Sequence, residues 1–146
     1  MLYYEDMVPG ETLTGATFVV DEKEMVEFAQ RWDPVPFHVD RRAGEAAFGS
    51  LTAPGIFVLA VKQHLIHQLD EKHAVIASLG YDDVRFHHPV RPGDAVTLLL
   101  EWVDRRVSQS KPDRGVVTLR LGLTNQDATL VMSHLDTILV RRRPSS

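Results

Sequence analysis

The stretch WDPVPFHVD, residues 32–40, places a carboxylate and an imidazole five positions apart, as Asp33 and His38. Histidine titrates near neutral pH and a carboxylate can orient or deprotonate a water molecule, so this pair suits general acid–base catalysis. Because five extended residues span up to roughly 17 Å, the spacing alone does not bring the two side chains together. The two prolines favour a stiff, bent loop in which both would reach one water molecule. An aspartate that caps a turn and a histidine that fills a loop would leave the same pattern.

A helix predicted to begin at Gly55 supplies a second kind of chemical group. The segment from Gly55 to about Leu69 opens with two turns that are apolar on all sides, which predicts burial on every side. The first backbone N–H groups of a helix lack intrahelical partners and lie at the positive end of its dipole, so they can stabilise a developing oxyanion. A glycine kept only for a tight entry into the helix explains Gly55 equally well.

The elements that position these residues follow from hydrophobic periodicity and turn signals. Residues 11–20 predict a strand that ends in β-branched side chains. Asp21, with Glu24 three positions later, predicts the start of a first helix, which ends before Pro34 because proline disfavours helix in its predecessor. One face of this helix is predicted to be apolar, formed by Met25, Phe28, Ala29 and Trp32.

Residues 33–54 predict an irregular connection with a short helix near residues 43–47, and connections of this length are commonly functional. The chain after residue 74 predicts an antiparallel meander wrapped around the second helix, hence an α+β fold. Residues 95–103 are apolar on both faces, which predicts that one face meets the helix and the other a second subunit. The four predicted strands lie near residues 75–87, 95–107, 115–125 and 129–140.

Composition indicates an ordinary globular protein of 146 residues, with 44% hydrophobic and 25% charged residues. The net charge of -4 argues against a nucleic-acid partner, and the absence of cysteine excludes disulfides, thiolate metal sites and a cysteine nucleophile. The acidic start lacks the apolar core of a signal peptide, and no apolar run is as long as a membrane span. We therefore expect a single cytoplasmic domain, residues 1–146, with no membrane partner.

Several motifs together resemble the MaoC-like dehydratase family, the R-specific enoyl-CoA hydratases of the hot-dog fold. The segment VRFHHPVRPGDAVTL is similar to a strand–turn–strand of that family, and SQSKPDRGVVTLRLGLTNQD is similar to a hairpin found in many members. The resemblance extends from Tyr4 to Val140. It is carried first by DPVPFHVD, and then by Ala43, Ala46, Phe48, Gly49, Ala53 and Gly55.

The resemblance implies a hydro-lyase that reversibly hydrates a trans-2-enoyl thioester to the 3-hydroxyacyl thioester. The aspartate and histidine that hold the catalytic water would be Asp33 and His38, and the backbone amide that polarises the thioester carbonyl would be that of Gly55. The substrate would be an acyl-CoA or an acyl-carrier thioester, with no cofactor beyond the CoA of the substrate and no metal. The expected assembly is a homodimer or a multiple of dimers.

Substrate contacts are expected from Val35, Phe37, Pro54, Gln63 and Arg114. Members of the family commonly carry Asn or Gln where this chain has Val35, many have His or Ser where it has Pro54, and some have Ser where it has Gln63. Arg114 lies in a basic stretch that would meet the phosphates of coenzyme A, although a solvated hairpin explains that stretch equally well.

Two histidine pairs are weaker candidates. His64 and His67 have a spacing that can bind metal, but no third ligand is apparent, which favours packed or solvated side chains. His87 and His88 are predicted to point to opposite faces of a strand and so not to act together. Two other functions stay open: an acyl-CoA thioesterase of the hot-dog fold, and a non-catalytic acyl-CoA-binding subunit, which Val35 favours.

Overall fold

A computed structural model describes residues 1–145 and contains four helices and five strands. None of the helices in this range is long and apolar enough to cross a membrane. A short 3₁₀ turn, Tyr4–Asp6, precedes the first strand. In chain order the elements are β1 (Thr12–Val19), α1 (Glu22–Trp32), α2 (Pro36–Val39), α3 (Arg41–Phe48), α4 (Gly55–Ile66), β2 (Val75–Phe86), β3 (Ala95–Val107), β4 (Arg114–Thr124) and β5 (Leu130–Arg141).

The five strands form one antiparallel sheet in the order β1-β3-β4-β5-β2. The predicted positions of the strands are confirmed, and β3, β4 and β5 form the expected meander. The prediction that β2 belongs to that meander is wrong, because β2 crosses to the far edge and pairs with β5, with Tyr81 opposite Asp136. Helix α4 packs on the inner face of the sheet, which is the α+β arrangement expected of the hot-dog fold.

The core lies between α4 and the inner face of the sheet. Helix α4 contributes Phe57, Val58, Val61 and Leu65, all buried. Alternate residues of β4 face them, as the period-2 pattern predicts, since successive side chains of a strand point to opposite faces. The buried residues of β4 on this face are Val117, Leu119, Leu121 and Leu123.

Helix α1 begins as predicted, because the Asp21 carboxylate accepts a hydrogen bond from the Glu24 amide at 2.9 Å. Its predicted apolar face is only partly buried. Met25 and Ala29 are inaccessible to solvent, whereas Trp32 at the last position is 59% exposed. The helix ends at Trp32, ahead of the proline-rich segment, so its last turn projects beyond the core.

The connection predicted to be irregular is largely helical. Proline is tolerated in the first turn of a helix, where its missing N–H has no intrahelical partner, and Pro36 opens α2 in this way. Asp40 then ends α2 and caps α3, where its carboxylate accepts a hydrogen bond from the Arg42 amide at 2.8 Å. Helix α3 stops at Gly49, which adopts a left-handed conformation with φ of 80°.

Two further expectations about burial are wrong. In α4, Ile56 of the first turn is 47% exposed, while Lys62 of the more polar half is completely buried. In β3 only the inner face is fully apolar, because the outer face carries Glu101, whose carboxylate accepts a hydrogen bond from Arg120 at 2.9 Å. Leu99 on that outer face is 37% exposed. The surface expected to meet a second subunit is therefore mixed in character.

Candidate functional site

The ends of two helices bring Asp33 and His38 together. Asp33 follows the last turn of α1, where its amide donates to the Ala29 carbonyl at 2.8 Å. His38 lies in the single turn of α2 and is 8% exposed, while the Asp33 side chain is 37% exposed. Because the chain reverses at the prolines, Asp33 Oδ2 lies 3.6 Å from His38 Nε2. The two side chains therefore face one small space, as the proline-braced loop predicted.

The hydrogen bonds of His38 determine what its ring offers to that space. Nδ1 lies 2.6 Å from the Thr52 carbonyl oxygen, and because a carbonyl only accepts, Nδ1 is the donor. Nε2 is left facing Asp33, at a separation longer than a hydrogen bond. The Phe37 ring packs edge-on against the imidazole, with centroids 4.6 Å apart, and restricts its orientation. The carboxylate oxygen and Nε2 can thus both contact a third group placed beside them.

Helix α4 begins beside this pair with an uncapped N-terminus. Pro54 is the N-cap, and its carbonyl accepts from the amides of Phe57 and Val58 at 3.0 and 3.1 Å. Within residues 1–145 the amide of Gly55 has no hydrogen-bond partner. The Phe86 ring covers the α-carbon so closely that a Cβ at position 55 would lie 2.6 Å from Phe86 Cζ. The helix therefore presents an open donor at a position where any larger residue meets an aromatic ring.

One cavity of about 320 Å³ joins His38 and Gly55. Its walls are mostly apolar, with a few polar groups, as is typical of a cavity that binds and orients a small ligand. The other lining residues are Phe37, Phe48, Thr52, Ala53, Val58, Phe86, His87, His88, Pro89, Val90 and Val131.

The residues expected to contact substrate are placed unequally. Phe37 lines the cavity, and Pro54 is buried at the start of α4. Val35 is the half-buried N-cap of α2, between the two catalytic candidates in sequence. Gln63 is exposed on the surface of α4. Arg114 forms an ion pair with the adjacent Asp113. It is the first residue of β4 and lies opposite Arg141 of β5. Arg114 therefore lies at the opposite end of the sheet from the cavity. Within one chain, neither Gln63 nor Arg114 lines the cavity.

Sequence reasoning did not place in the site four cavity residues at the end of β2 and just after it, namely Phe86, His87, His88 and Pro89. The strand ends at Phe86, so His87 and His88 lie beyond it, and the prediction that they occupy opposite faces of a strand is wrong. His87 Nε2 lies 2.7 Å from the Ser133 hydroxyl. Pro89 is the signal that could have revealed the end of β2 before these histidines. Proline rarely continues a strand, and it biases the preceding residue towards a turn or extended connection.

No metal centre is found among residues 1–145, since no group of three or more potential ligands converges there. His64 packs its ring edge-on against Phe18, with centroids 5.6 Å apart. His67 Nε2 lies 3.5 Å from the side-chain nitrogen, Nε2, of Gln63. The spacing of these histidines is therefore accounted for by packing and by a polar contact on the helix surface.

Comparison of the sequence with known families agrees with this geometry. The model of the family described as MaoC like domain matches residues 6–125. Protein MaoC of Klebsiella aerogenes is 31% identical over 111 residues, which cover 75% of this chain and 33% of that protein. Mesaconyl-CoA hydratase of Haloarcula marismortui is 30% identical over 95 residues, which cover 64% of this chain and 26% of that protein. The chain thus spans about a third or less of the length of these curated relatives.

Solved structures extend the comparison over the whole fold. The MaoC-like dehydratase from Rhodospirillum rubrum is 28% identical and superimposes with a TM-score of 0.90, covering 99% of this chain and 100% of that one. A conserved hypothetical protein from Mycobacterium tuberculosis with a double hot-dog fold superimposes with a TM-score of 0.80 at 20% identity. That match covers 99% of this chain and 46% of the other, and it supports the fold alone.

The family match includes β1, all four helices and the first three strands of the sheet that follow them in the chain. It therefore contains both candidate side chains, Asp33 and His38, and the N-terminus of α4, which lines the same cavity as His38. On the agreement of the family model, the curated relatives and the fold, the chain belongs to the MaoC-like dehydratase family.

Proposed function

We propose that this protein catalyses the reversible hydration of a trans-2-enoyl thioester, with coenzyme A as the carrier. The observation that carries the proposal is the 3.6 Å approach of Asp33 Oδ2 to His38 Nε2, where His38 lines one apolar cavity together with the uncapped N-terminus of α4. Membership of a dehydratase family supports the reaction class. A relative named mesaconyl-CoA hydratase supports a CoA thioester as the substrate.

In the hydration direction, a water molecule bound between the two side chains attacks the β-carbon of the substrate. Asp33 accepts a proton from this water, and the resulting hydroxyl bonds to the β-carbon as the double bond breaks. The Gly55 amide donates to the carbonyl oxygen, which carries the charge of the transient enolate. His38, which begins the cycle protonated on both ring nitrogens, then delivers the Nε2 proton to the α-carbon and keeps the Nδ1 proton hydrogen-bonded to the Thr52 carbonyl. Transfer of the first proton from Asp33 to His38 restores the starting state, so one water is added overall.

The experiment that tests this proposal follows the loss of enoyl absorbance with crotonyl-CoA and longer trans-2-enoyl-CoA substrates. Hydration removes the conjugated double bond without releasing a thiol, so absorbance falls while free thiol stays constant. Release of free thiol without hydration would assign the protein to the thioesterases instead. Thermal stabilisation by acyl-CoA without any turnover would make it a binding subunit.

We also propose that the protein forms a homodimer or a multiple of dimers, through β2 rather than through the surface of residues 95–103. Strand β2 lies at the edge of the sheet, so one side of its backbone is free to pair with another chain. It exposes large apolar side chains, with Leu79 57% and Phe86 53% exposed. A free edge combined with apolar side chains is typical of a surface that a second chain covers.

Light scattering at micromolar concentration should therefore give at least twice the mass of the chain. Leu79→Asp places a charge on β2 and should shift the protein towards the monomer, because burying an unpaired charge is costly. Leu99→Asp, on the outer face of β3, is the matched control and should leave the mass unchanged. A wild-type monomer, or dissociation by Leu99→Asp alone, would contradict the proposed interface.

A further inference from the structure

A buried lysine lies on the face of α4 that also carries Gly55. Lys62 is 0% exposed, although it belongs to a helix whose other buried residues are all apolar. Gly55, Val58 and Lys62 are spaced i, i+3 and i+7, so they share one face of the helix. Two turns separate the first from the last, a rise of roughly 10 Å, and helical side chains lean back towards the N-terminus. The ammonium group therefore lies further along the helix face that forms the wall of the cavity.

The ammonium group of Lys62 is buried without a direct ion pair. Nζ donates to the Tyr81 hydroxyl at 3.0 Å and to Gln63 Oε1 at 3.3 Å, and it lies 4.2 Å from the centroid of the Tyr81 ring. Among residues 1–145 no carboxylate lies within 4.0 Å of it, and one of its three hydrogens has no acceptor. Burial lowers the pKa of Lys62 to about 8, while the charge of Asp136 opposes that shift. A buried charge without a partner is costly unless something compensates it.

The strand beneath Lys62 is also polar. On the inner face of β5, His134 is 2% and Asp136 6% exposed. His134 Nδ1 donates to the Leu135 carbonyl at 2.9 Å, and its Nε2 is buried with no partner in the described part of the chain. Asp136 accepts from the Ser78 hydroxyl at 3.2 Å. Burial is the main cause that lowers the pKa of His134 and raises that of Asp136. These groups surround the ammonium, yet none of them neutralises it through a direct contact.

A bulge in β2 links this polar region to the cavity. The pairing of β2 with β5 shifts by one residue between Asp82 and Arg85, where Asp83 has a φ of 52°. An extra residue on one strand moves the following side chains to the other face. Tyr81 and Phe86 are five positions apart and would otherwise point to opposite faces, but both point towards α4. Phe86 covers Gly55, and Tyr81 covers Lys62 and is 42% exposed.

Along α4 the wall of the cavity leads towards Lys62, which does not itself line the cavity. Val58, which lines the cavity, lies one helical turn before Lys62 on the same face of the helix. An acyl group bound with its thioester at Gly55 would extend along α4 towards Lys62. A hydrocarbon tail reaching this point would leave the third hydrogen of the ammonium unpaired, whereas an anionic oxygen would accept it.

We propose that Lys62 and Tyr81 form a subsite for a carboxylate at the far end of the acyl group, so that the protein selects enoyl thioesters of dicarboxylic acids. The inference rests on the proposed function, because it places the thioester at Gly55. Lys62 supplies the charge that pairs with the carboxylate, and the Tyr81 hydroxyl supplies a second donor. The Tyr81 ring covers Lys62, so it is the element that moves to admit the substrate.

The test compares kcat/KM for glutaconyl-CoA with that for its terminal methyl ester, which has a similar shape but no negative charge. Wild type should prefer glutaconyl-CoA by roughly 10- to 100-fold, the usual value of a hydrogen bond to a charged group. Lys62→Met has a similar length and no charge, and it should reduce that ratio to about one. Tyr81→Phe should reduce it by a smaller factor. Lys23→Met, which removes an exposed lysine outside the cavity, should leave the ratio unchanged.

The pH dependence of the ratio of kcat/KM values for glutaconyl-CoA and its methyl ester tests whether the Lys62 ammonium is the group that binds the carboxylate. Lys62 is charged below its pKa of about 8 and neutral above it. Since kcat/KM reports the free enzyme, the preference for glutaconyl-CoA should fall as the pH rises from about 7 to about 9. His134 and Asp136 face the same ammonium; burial lowers the pKa of His134, away from this range, and raises the pKa of Asp136. The ratio should be flat with pH in Lys62→Met.

Failure of the subsite can be distinguished from failure of the proposed function. Hydration of crotonyl-CoA without a preference for glutaconyl-CoA, or an equal loss for both glutaconyl substrates in Lys62→Met, would overturn the subsite alone. Calorimetry with the saturated thioesters glutaryl-CoA and butyryl-CoA measures selection without turnover. Tighter binding of glutaryl-CoA that disappears in Lys62→Met would support the subsite even if no substrate were hydrated. Lys62→Met should melt at or above the wild-type temperature, because it removes a buried charge.

Discussion

Asp33→Asn should lower kcat by roughly 10²- to 10⁴-fold, the range typical of the loss of a general acid or base. The amide keeps the size of the carboxylate but cannot accept a proton from water, so the fold and substrate binding should be preserved. His38→Asn should have an effect of the same order. Its side-chain amide can still donate to the Thr52 carbonyl, as Nδ1 does at 2.6 Å, while the group that faces Asp33 is lost. Initial rates of enoyl-CoA hydration measure both effects.

The double variant separates a joint role from two independent ones. If both side chains act on one water molecule, Asp33→Asn with His38→Asn should be little worse than the worse single variant. His67→Asn replaces an exposed histidine at the end of α4 and serves as the control, with activity close to wild type. Full activity in either single variant would remove that residue from the mechanism. Losses that multiply in the double variant would show that the two residues do not act on the same step.

Gly55→Pro should lower kcat by roughly 10²- to 10³-fold, because it removes the N–H that we propose as the oxyanion donor. Proline suits this position, since the first turn of a helix tolerates it and Pro54 is already extended with ψ of 146°. Its ring also adds a Cβ, which would lie 2.6 Å from Phe86 Cζ, so the Phe86 ring must move. Circular dichroism and the melting temperature report whether the variant folds.

Gly55→Ala is the matched control, because it adds the same Cβ against Phe86 and keeps the N–H. A comparison of the two variants isolates the amide, since both displace the Phe86 ring. Because the clash is with the far end of the Phe86 side chain rather than with backbone, the ring can shift without unfolding the core. Equal losses in the two variants would assign the effect to the cavity wall rather than to the amide. Normal turnover in a folded Gly55→Pro variant would exclude this amide as the donor.

Features set by neighbours in sequence were predictable from the chain alone. The cap of α1 by Asp21 depends on an amide three residues away, and the strands were predicted within about two residues because their turns carry Gly, Pro, Asn and Asp. The bounds of α4 were less accurate, since the chain leaves the helix at Ile66 rather than at Leu69. The two helices of the connecting segment were underestimated because proline reads as a helix breaker, yet at Pro36 it opens a helix.

Features set by distant contacts were not predictable. The place of β2 at the edge of the sheet depends on its pairing with β5, more than fifty residues later, and no local pattern specifies which strand it joins. The same pairing decides that Lys62 is buried, because Tyr81 of β2 covers it. Because this contact cannot be read from the sequence, Lys62 was assigned to the polar half of α4 although it is buried. The bulge that turns both Tyr81 and Phe86 towards α4 is likewise invisible in the spacing of the residues.

The sequence by itself determined the residue types at the site, since DPVPFHVD followed by a helix at Gly55 provides an acid, an imidazole and a free amide in one short segment. Only the tertiary structure decided that His38 and Gly55 line one cavity and that Asp33 lies beside His38. Asp33 and His38 approach to 3.6 Å because two helix ends meet, and the imidazole is oriented by the Thr52 carbonyl, fourteen residues away in sequence. Side-chain chemistry is a property of each residue, whereas a distance between side chains depends on how the whole core packs.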